Sequence, residues 1–364
     1  MQNLHFSVWP KGRPYSLTPS PHSVFHNLRM AAERHPERVA IWYYGGTLSY
    51  GRLLADVNRL AGYLHHRAGI GPNDRVALYM QNAPQFVIAY YAILAANAVI
   101  VPVNPMCRGT ELTHILGDSG ARAVVFGAEL AGELPIGLDP AACIRVRYAD
   151  HIPAEPEIAP PPAMVAPVEP AFGTPWQVAM TADLPPPGHD RTPRDWCIIP
   201  YSSGTTGMPK GCLHTHASVN ATIFAYPEWV GMGEGARVLA TLPFCHVTGM
   251  QNSMNMPILV GGTIHILTRW NAEAAAQVIE RKRIGHWRSI TTMMIDFLSL
   301  PGIEEYDLSS LEGVGGGGAQ MPEAVARKMA RLIGLDYIEA YGLTETMAPS
   351  HMNPPDAPRP QCLG

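Results

Sequence analysis

Two hydrophobic periods alternate along the first part of the chain. Apolar residues recur every three or four positions at Leu53, Leu54, Val57, Leu60, Ala61 and Leu64. This spacing predicts an amphipathic helix, for which Ser49 is a suitable N-cap. Short apolar runs at 74–80, 99–103 and 123–126 predict buried strands, with helices at 84–96 and near Glu111. Strands that alternate with helices favour a mostly parallel sheet covered on both faces.

The same alternation returns after about residue 193. It predicts strands at 195–200, 237–242, 263–268, 287–290 and 336–340, and helices at 214–229, 252–260, 272–282 and 322–332, the last with Pro322 in its first turn. Residues 152–190 hold eleven of the 35 prolines. Such a segment cannot sustain a helix or a central strand, so we expect an extended connection, with a disordered linker as the alternative. We therefore predict an α/β fold of two packed, mostly parallel subdomains, residues 1–190 and 191–364.

Composition and charge narrow the class of protein. The chain is 47% hydrophobic, with a net charge of −4 and no long basic run, which argues against nucleic acid as its main partner. Residues 81–107 carry no charge, but Asn97 interrupts the apolar run before the roughly 20 residues of a membrane span, so we expect no transmembrane segment. Six scattered cysteines form no C-x-x-C pair, which favours a reducing cytoplasm. The first residues lack an apolar signal-peptide region.

The segment from Tyr201 to Gly211 concentrates groups that bind anions. It contains four serine and threonine hydroxyls, three glycines and Lys210 within eleven residues. Glycines let backbone N–H groups approach a phosphate, and hydroxyls and a lysine add donors and charge. A predicted strand before this segment and a predicted helix after it suit phosphate binding. The pattern differs from G-x-x-x-x-G-K-[ST], and a flexible surface loop is the alternative.

This segment resembles the phosphate-binding signature of the adenylate-forming superfamily, which comprises acyl- and aryl-CoA synthetases, peptide-synthetase adenylation domains and beetle luciferases. Segments 242–250, 315–322 and 341–346 resemble three further motifs in the family's order. The resemblance implies the fold of the large N-terminal domain of these enzymes, with the small C-terminal domain absent from this chain.

The resemblance also implies a nucleotide site. The phosphate-binding residues would be Ser202, Ser203, Gly204, Thr205, Thr206, Gly207 and Lys210. The Thr344 hydroxyl would meet the α-phosphate, and Glu345 would carry Mg²⁺, a hard cation that favours carboxylate and phosphate oxygens. The residues around the adenine would be Gly317, Gly318, Ala319, Tyr341 and Gly342. An ordinary core aromatic is the alternative for Tyr341.

His246 would lie near the substrate carboxylate, which it could orient or gate; a structural histidine is the alternative. A zinc site of His214, His216, Cys245 and His246 is a further alternative. The acid-binding residues would be His246, Val247, Met250, Gly316 and Met347. Amino-acid-activating relatives place an aspartate at the position of Val247, so its apolar side chain argues against an amino acid.

We therefore expect ATP- and Mg²⁺-dependent activation of a carboxylic acid, fatty or otherwise non-amino, to an acyl-adenylate, followed by thioester formation with coenzyme A. The protein would be cytoplasmic. Whether it assembles as a homodimer is left open. This chain alone would be impaired as a ligase. Three alternatives share the motifs: an amino-acid-activating domain, a nucleotide- or acyl-binding module without turnover, and luciferase-like oxidation.

Overall fold

Two largely parallel β-sheets organise the part of the chain that the structure describes. This computed structural model describes residues 6–7, 9–18, 20–167, 172–202, 207–359 and 361–363. The strands are β1 Val39–Tyr43, β2 Gly46–Ser49, β3 Arg75–Tyr79, β4 Val99–Val103, β5 Ala121–Gly127, β6 Cys143–Val146, β7 Thr174–Pro175, β8 Trp196–Ile198, β9 Tyr201–Ser202, β10 Lys210–Gly211, β11 His214–Thr215, β12 Arg237–Ala240, β13 Thr263–Ile266, β14 His286–Ser289, β15 Gly313–Gly316, β16 Ile338–Tyr341 and β17 His351–Met352.

The first sheet has the order β11-β8-β4-β3-β5-β6-β7, and the second has the order β17-β16-β15-β14-β12-β13-β1-β2. Pairing is parallel except at β11–β8, β16–β17 and β1–β2, all at sheet edges. This confirms the predicted α/β class with two mostly parallel layers.

Helices cover the sheets and fill the space between them. They are α1 Val24–Arg34, α2 Tyr50–His66, α3 Pro84–Ala95, α4 Gly109–Ser119, α5 Pro162–Val165, α6 Trp176–Thr181, α7 His216–Val230, α8 Val247–Gly249, α9 Met256–Leu259, α10 Ala272–Lys282, α11 Thr291–Leu298 and α12 Glu323–Ile333. The predicted cap of α2 is confirmed, since the Ser49 hydroxyl accepts a hydrogen bond from the Arg52 N–H.

Helix α3 explains the long uncharged run. Every residue from Pro84 to Ala95 is buried, so the helix has no polar face to present to water. Its Tyr91 hydroxyl donates to Asn255, 2.9 Å away, which ties the helix to the second half of the chain. Among the residues the structure describes, no helix combines the length and apolar character needed to cross a membrane.

Several local predictions need correction. The predicted helix at 252–260 begins five residues earlier and contains a π-helical segment, Met250–Asn255, between α8 and α9. Pro322 is the N-cap of α12 and precedes its first turn. Sequence reasoning missed the β1–β2 hairpin, strand β15, and helices α1 and α11.

The proline-rich segment is largely ordered in its described part. Trp176 on α6 is buried, and β7 pairs with β6 at the edge of the first sheet. An edge position needs no full set of backbone N–H donors, so Pro175 is tolerated there. This favours the extended connection over the disordered linker, apart from residues 168–171, which lie outside the description.

Strands from both predicted subdomains contribute to both sheets. Strand β1 of the first hairpin pairs with β13 of the second sheet, whereas β8 pairs with β4 of the first sheet and β11 pairs with β8. The sheets therefore do not follow the predicted division at residue 190. The domain boundary itself stays a prediction.

Candidate active site

A short hairpin presents the glycine-rich loop. Ser202 on β9 pairs with Lys210 on β10, so the chain returns on itself around the loop. Helix α4 holds this hairpin: the Tyr201 hydroxyl donates to Asp118 at 2.6 Å, and His114 Nε2 donates to the Pro209 carbonyl at 2.9 Å. Strands β10 and β11 therefore separate the loop from α7, which corrects the expected direct passage from loop to helix.

The structure describes only three of the seven predicted phosphate-binding residues. Ser202 is half-buried, while Gly207 and Lys210 are exposed. Predicted ligands Ser203, Gly204, Thr205 and Thr206 lie outside the described residues. Their assignment stays a prediction.

A buried histidine holds the turn that carries Thr344 and Glu345. His214 on β11 donates from Nε2 to the Thr344 carbonyl at 2.9 Å. Burial lowers the pKa of His214, whereas the Thr344 carbonyl and the Glu345 carboxylate oppose that shift. The turn is also closed locally, because the Leu343 N–H donates to the Thr346 hydroxyl at 3.0 Å. The motif thus leaves the Glu345 side chain exposed.

An asparagine that follows β3, the central strand of the first sheet, holds the turn before His246. The Asn82 amide accepts from the Phe244 N–H at 2.7 Å and donates to the Leu242 carbonyl at 2.8 Å. Asn82 is buried, so both hydrogen bonds are shielded from water. Sequence reasoning missed Asn82 and the role of His214. In each case the signal is a polar residue next to a buried strand, and it does not identify the partner.

His246 is prepared to donate a hydrogen bond. Its Nδ1 accepts from the Thr248 N–H at 3.3 Å, which assigns the proton of the neutral ring to Nε2. The surrounding walls lower the pKa of His246 through desolvation, although the ring itself faces the solvent of the cleft. The neutral imidazole can therefore offer Nε2–H to an anionic acceptor.

These segments meet around one cleft of about 590 Å³. Its walls include Ser202, Lys210, His246, Thr344 and Glu345. A lysine, a histidine donor and a hydroxyl therefore face the same space as two exposed carboxylates, Glu111 and Glu345. This combination suits a polyphosphate next to a second anion.

A second cavity of about 410 Å³ adjoins this cleft, and Gly342 lines both. Four of the five predicted adenine-site residues line it: Gly318, Ala319, Tyr341 and Gly342. Tyr341 is 41% exposed, which excludes the alternative of an ordinary core aromatic. The fifth predicted residue, Gly317, is not among the lining residues.

The glycine run has a packing role that the sequence did not reveal. Residues 313–316 form β15, in the middle of the second sheet. A Cβ on Gly316 would overlap the Ser289 carbonyl oxygen, and one on Gly317 would overlap that of Ala340. Close strand packing therefore requires glycine here, whatever ligand binds nearby.

The remaining predicted acid-binding residues lie in the core. Val247, Met250 and Met347 are each at most 1% exposed, and Gly316 is buried. None of them is among the residues that line the cleft. Their contact with an acid stays a prediction.

The zinc alternative receives no support. His214 contacts Thr344, while His216 Nδ1 accepts a hydrogen bond from the Val24 N–H. Within the described ranges, no group of three or more histidine, cysteine, aspartate or glutamate side chains could hold a metal. Glu111 and Glu345 are exposed carboxylates that line the cleft, and one such carboxylate fits Mg²⁺ that receives its other ligands from phosphate and water.

Comparisons with known proteins apply to most of the chain. A family model described as AMP-binding enzyme matches residues 28–364. A long-chain-fatty-acid–CoA ligase of Bacillus subtilis is 29% identical over 97% of this chain and 65% of its own length. A feruloyl-CoA synthase of Amycolatopsis is 30% identical over 86% of this chain and 58% of its own length. The chain thus spans less than two thirds of these curated relatives.

Solved structures share the fold. The inhibitor-bound N-terminal domain of FACL13 from Mycobacterium tuberculosis has a TM-score of 0.77 at 26% identity, covering 92% of this chain and 79% of that one. The anthranilate CoA ligase AuaEII, in complex with anthranoyl-AMP, has a TM-score of 0.80 at 21% identity, covering 94% and 64%. At this sequence identity, the similarity to AuaEII shows only that the two proteins share a fold.

Proposed function

Because the chain belongs to the AMP-binding enzyme family, we propose that it is the nucleotide- and acid-binding portion of an acid–thiol ligase. It would join a carboxylic acid to AMP at the expense of ATP, and the whole protein would pass the acyl group to coenzyme A. The acid would be fatty or another non-amino acid. The activities for which the fatty-acid and feruloyl ligases are named support this class of reaction.

The observation that carries the proposal is the convergence of three separate segments on one cleft. Lys210, His246 and Glu345 come from the hairpin, the turn before α8 and the turn after β16, and they line the same space. The adjoining cavity under Tyr341 shares Gly342 with this cleft. A nucleotide with its base in the cavity would extend its phosphates toward Lys210 and Thr344.

The first step would be attack of a carboxylate oxygen on the α-phosphorus of ATP. A new P–O bond forms, the bond to the β-phosphate breaks, and pyrophosphate leaves with that electron pair. The chain's residues would orient the two anions: His246 donates from Nε2 to the acid, and Lys210 and Thr344 bind phosphate oxygens. Mg²⁺, held by Glu345, would neutralise phosphate charge. In the second step, the coenzyme A thiolate attacks the acyl carbon and AMP leaves.

The absence of a charged side chain at position 247 supports a non-amino acid. Val247 begins α8 beside His246 and is buried. A buried valine offers no counter-charge to a substrate ammonium group. An amino acid would therefore leave its charge unpaired near this position.

The proposal extends to where the protein is located and how it assembles. All six cysteines lie within the described ranges and are free, which supports a reducing cytoplasm. We also propose that this chain alone turns over more slowly than the whole protein, and that a homodimer is its assembly. Size-exclusion chromatography with light scattering tests the assembly.

Acid-dependent exchange of labelled pyrophosphate into ATP tests the first step. A panel of fatty, aryl and amino acids should give exchange only with non-amino acids. Lys210→Met should reduce it, whereas Lys11→Met, which changes an exposed lysine outside the cleft, should not. Nucleotide binding without exchange would instead support a binding module, and acid-dependent oxygen uptake would support oxidation. Coenzyme A thioesters, detected by mass spectrometry, test the second step.

A further inference from the structure

The second sheet contains a buried arginine whose donors are not all used. Arg288 on β14 is 3% exposed, and its Nε and Nη1 atoms have no hydrogen-bond partner among the described residues. Arginine keeps its positive charge in proteins, and a buried charge is unfavourable unless it is paired. The Arg288 side chain therefore lacks hydrogen-bond acceptors for two of its nitrogen atoms among the described residues.

A tyrosine next to Arg288 has the same deficiency. The guanidinium carbon of Arg288 lies 5.0 Å from the ring centroid of Tyr226, on α7, which is a cation–π contact. The buried Tyr226 hydroxyl also has no hydrogen-bond partner among the described residues. Burial raises the pKa of Tyr226 although the neighbouring Arg288 opposes the shift, so the phenol stays neutral and cannot serve as a counter-ion. Two kinds of unused donor thus lie side by side.

Glu339, a buried carboxylate of the same sheet, already accepts two hydrogen bonds from other residues. Arg288 is in register with Gly315, and Gly315 with Ile338, so Arg288 shares the sheet face of Ile338 and not that of Glu339. Glu339 accepts hydrogen bonds from the N–H groups of Met321 at 3.0 Å and Gln361 at 2.7 Å. Glu339 therefore does not pair with Arg288.

The glycine strand makes room for the guanidinium. A Cβ on Gly315 would lie 2.7 Å from Nη1 of Arg288, and one on Gly313 would lie 3.5 Å from Nη2. Strand β15 continues into Gly318, which lines the cavity under Tyr341. The arginine thus lies beside the strand that leads to the proposed nucleotide site.

An apolar cavity lies on the α7 side of this cluster. It has a volume of about 380 Å³, and Tyr226 lines it together with Trp229 of α7 and Pro349 and Met352 of the segment after Glu345. Tyr226 therefore belongs both to the arginine cluster and to a space bounded by the segment that carries the proposed catalytic turn.

We propose that Arg288 and Tyr226 bind a second carboxylate at the far end of the acid, so that the preferred substrates are dicarboxylic acids. This inference rests on the proposed acid-activating function and adds the chemistry of the substrate's tail. One carboxylate would accept from the guanidinium N–H groups and from the phenol, satisfying the donors left unused. A methyl-ended tail would leave them unpaired.

Matched pairs of non-hydrolysable acyl-adenylate mimics test this inference. Each pair has one tail length and ends either in a methyl group or in a carboxylate, and binding is measured by titration calorimetry on the full chain. In at least one pair, the carboxylate-ended mimic should bind about 10-fold to 100-fold more tightly, as expected for hydrogen bonds to a charged group. Arg288→Met should abolish that preference and leave the methyl-ended mimic within about twofold.

Controls separate a specific role from a structural one. Arg237→Met makes the same change at an exposed arginine of neighbouring β12 and should preserve the preference. Arg288→Lys should retain part of it, because the charge remains. If Arg288→Met does not fold, Tyr226→Phe, which removes only the hydroxyl, should still reduce the preference several-fold, about the effect of one hydrogen bond.

The outcomes distinguish this inference from the proposed function. Binding of both members of every pair with equal affinity would overturn the second-carboxylate site and leave acid activation intact. A preference that persists in Arg288→Met would do the same. Failure of every mimic to bind would overturn the proposed function, and this inference with it.

Discussion

His214 and Thr344 are joined by a hydrogen bond of 2.9 Å from the imidazole Nε2 to the backbone carbonyl. The two residues belong to different sheets, because β11 is an edge strand of the first sheet and Thr344 follows β16 of the second. The position of the Thr344–Glu345 turn therefore depends on the first sheet. In this respect His214 is a positioning residue.

We expect His214→Ala to lower the rate of acid-dependent pyrophosphate exchange about 10-fold, with little change in the KM for the acid. The loss of one buried hydrogen bond corresponds to about 1–2 kcal/mol, and its effect should fall on the transition state that Thr344 is proposed to contact. His66→Ala, at an exposed position on α2, is the control. A change confined to the KM for the acid would contradict this role.

Glu345→Gln should weaken the binding of Mg-ATP about tenfold and leave that of metal-free ATP nearly unchanged. The substitution removes the negative charge that Mg²⁺ requires while it keeps the side-chain volume. Because Glu345 is exposed, the thermal unfolding midpoint should not fall. Calorimetric titration with and without Mg²⁺ measures the effect, with Glu304→Gln at another exposed position as the control. Equal losses in both titrations would remove Glu345 from the metal site.

His246→Ala should raise the KM for the acid more than the KM for ATP. The reason is that Nε2–H, whose tautomer the Thr248 N–H fixes, would donate to the acid's carboxylate. His246→Gln, which restores a side-chain N–H donor, should recover part of the acid affinity. Steady-state exchange kinetics with each substrate varied in turn measure both constants. The reverse pattern would place His246 outside the acid site.

Folding stability should decrease in mildly acidic solution. Burial lowers the pKa of His265 on β13 to about 4, and it does the same for His216 and His286. Because their ordinary pKa is near 6.5, the unfolded chain binds protons first as pH falls. The stability that these neutral rings provide is complete above about pH 6.5 and is lost progressively toward pH 4.

The variant His265→Gln tests this origin. For one such histidine the free energy of unfolding should drop by about 1–2 kcal/mol between pH 7 and pH 5, and the glutamine variant should lose that much less than the parent chain. Urea unfolding at the two pH values measures the difference. His66→Gln is the matched control, since His66 is exposed and should not alter the slope. An unchanged slope in His265→Gln would contradict the assignment.

Sequence periodicity predicted many of the regular elements, because burial of one face leaves a local pattern. The spacing from Leu53 to Leu64 and the cap at Ser49 both reflect contacts within a few residues. The same reasoning missed His214 and Asn82, whose partners Thr344 and Phe244 lie far along the chain. Their roles depend on how two sheets pack, and local residue patterns carry no information on that.

Motifs predicted one shared site for residues that are far apart in the sequence, and their roles in that site stay a prediction. Lys210, His246 and Glu345 do line one cleft, although they lie far apart along the chain. Gly316 was assigned to a ligand, yet the Ser289 carbonyl already excludes a side chain at that position. A glycine's sequence environment does not distinguish a close backbone neighbour from a close ligand.

The exchange of strands between the two halves affects how the chain can fold. Hairpin β1–β2 emerges early during synthesis. Its strand β1 gains a parallel partner only after β13 has been synthesised, when Ile41 can pair with Ile264. Until then one edge of the hairpin remains unpaired and open to association with other chains. Contacts of such long range are formed slowly. A ribosome-bound chain that stops before β13 should therefore depend on chaperones, and neither half should be separable by a single cut in the gene.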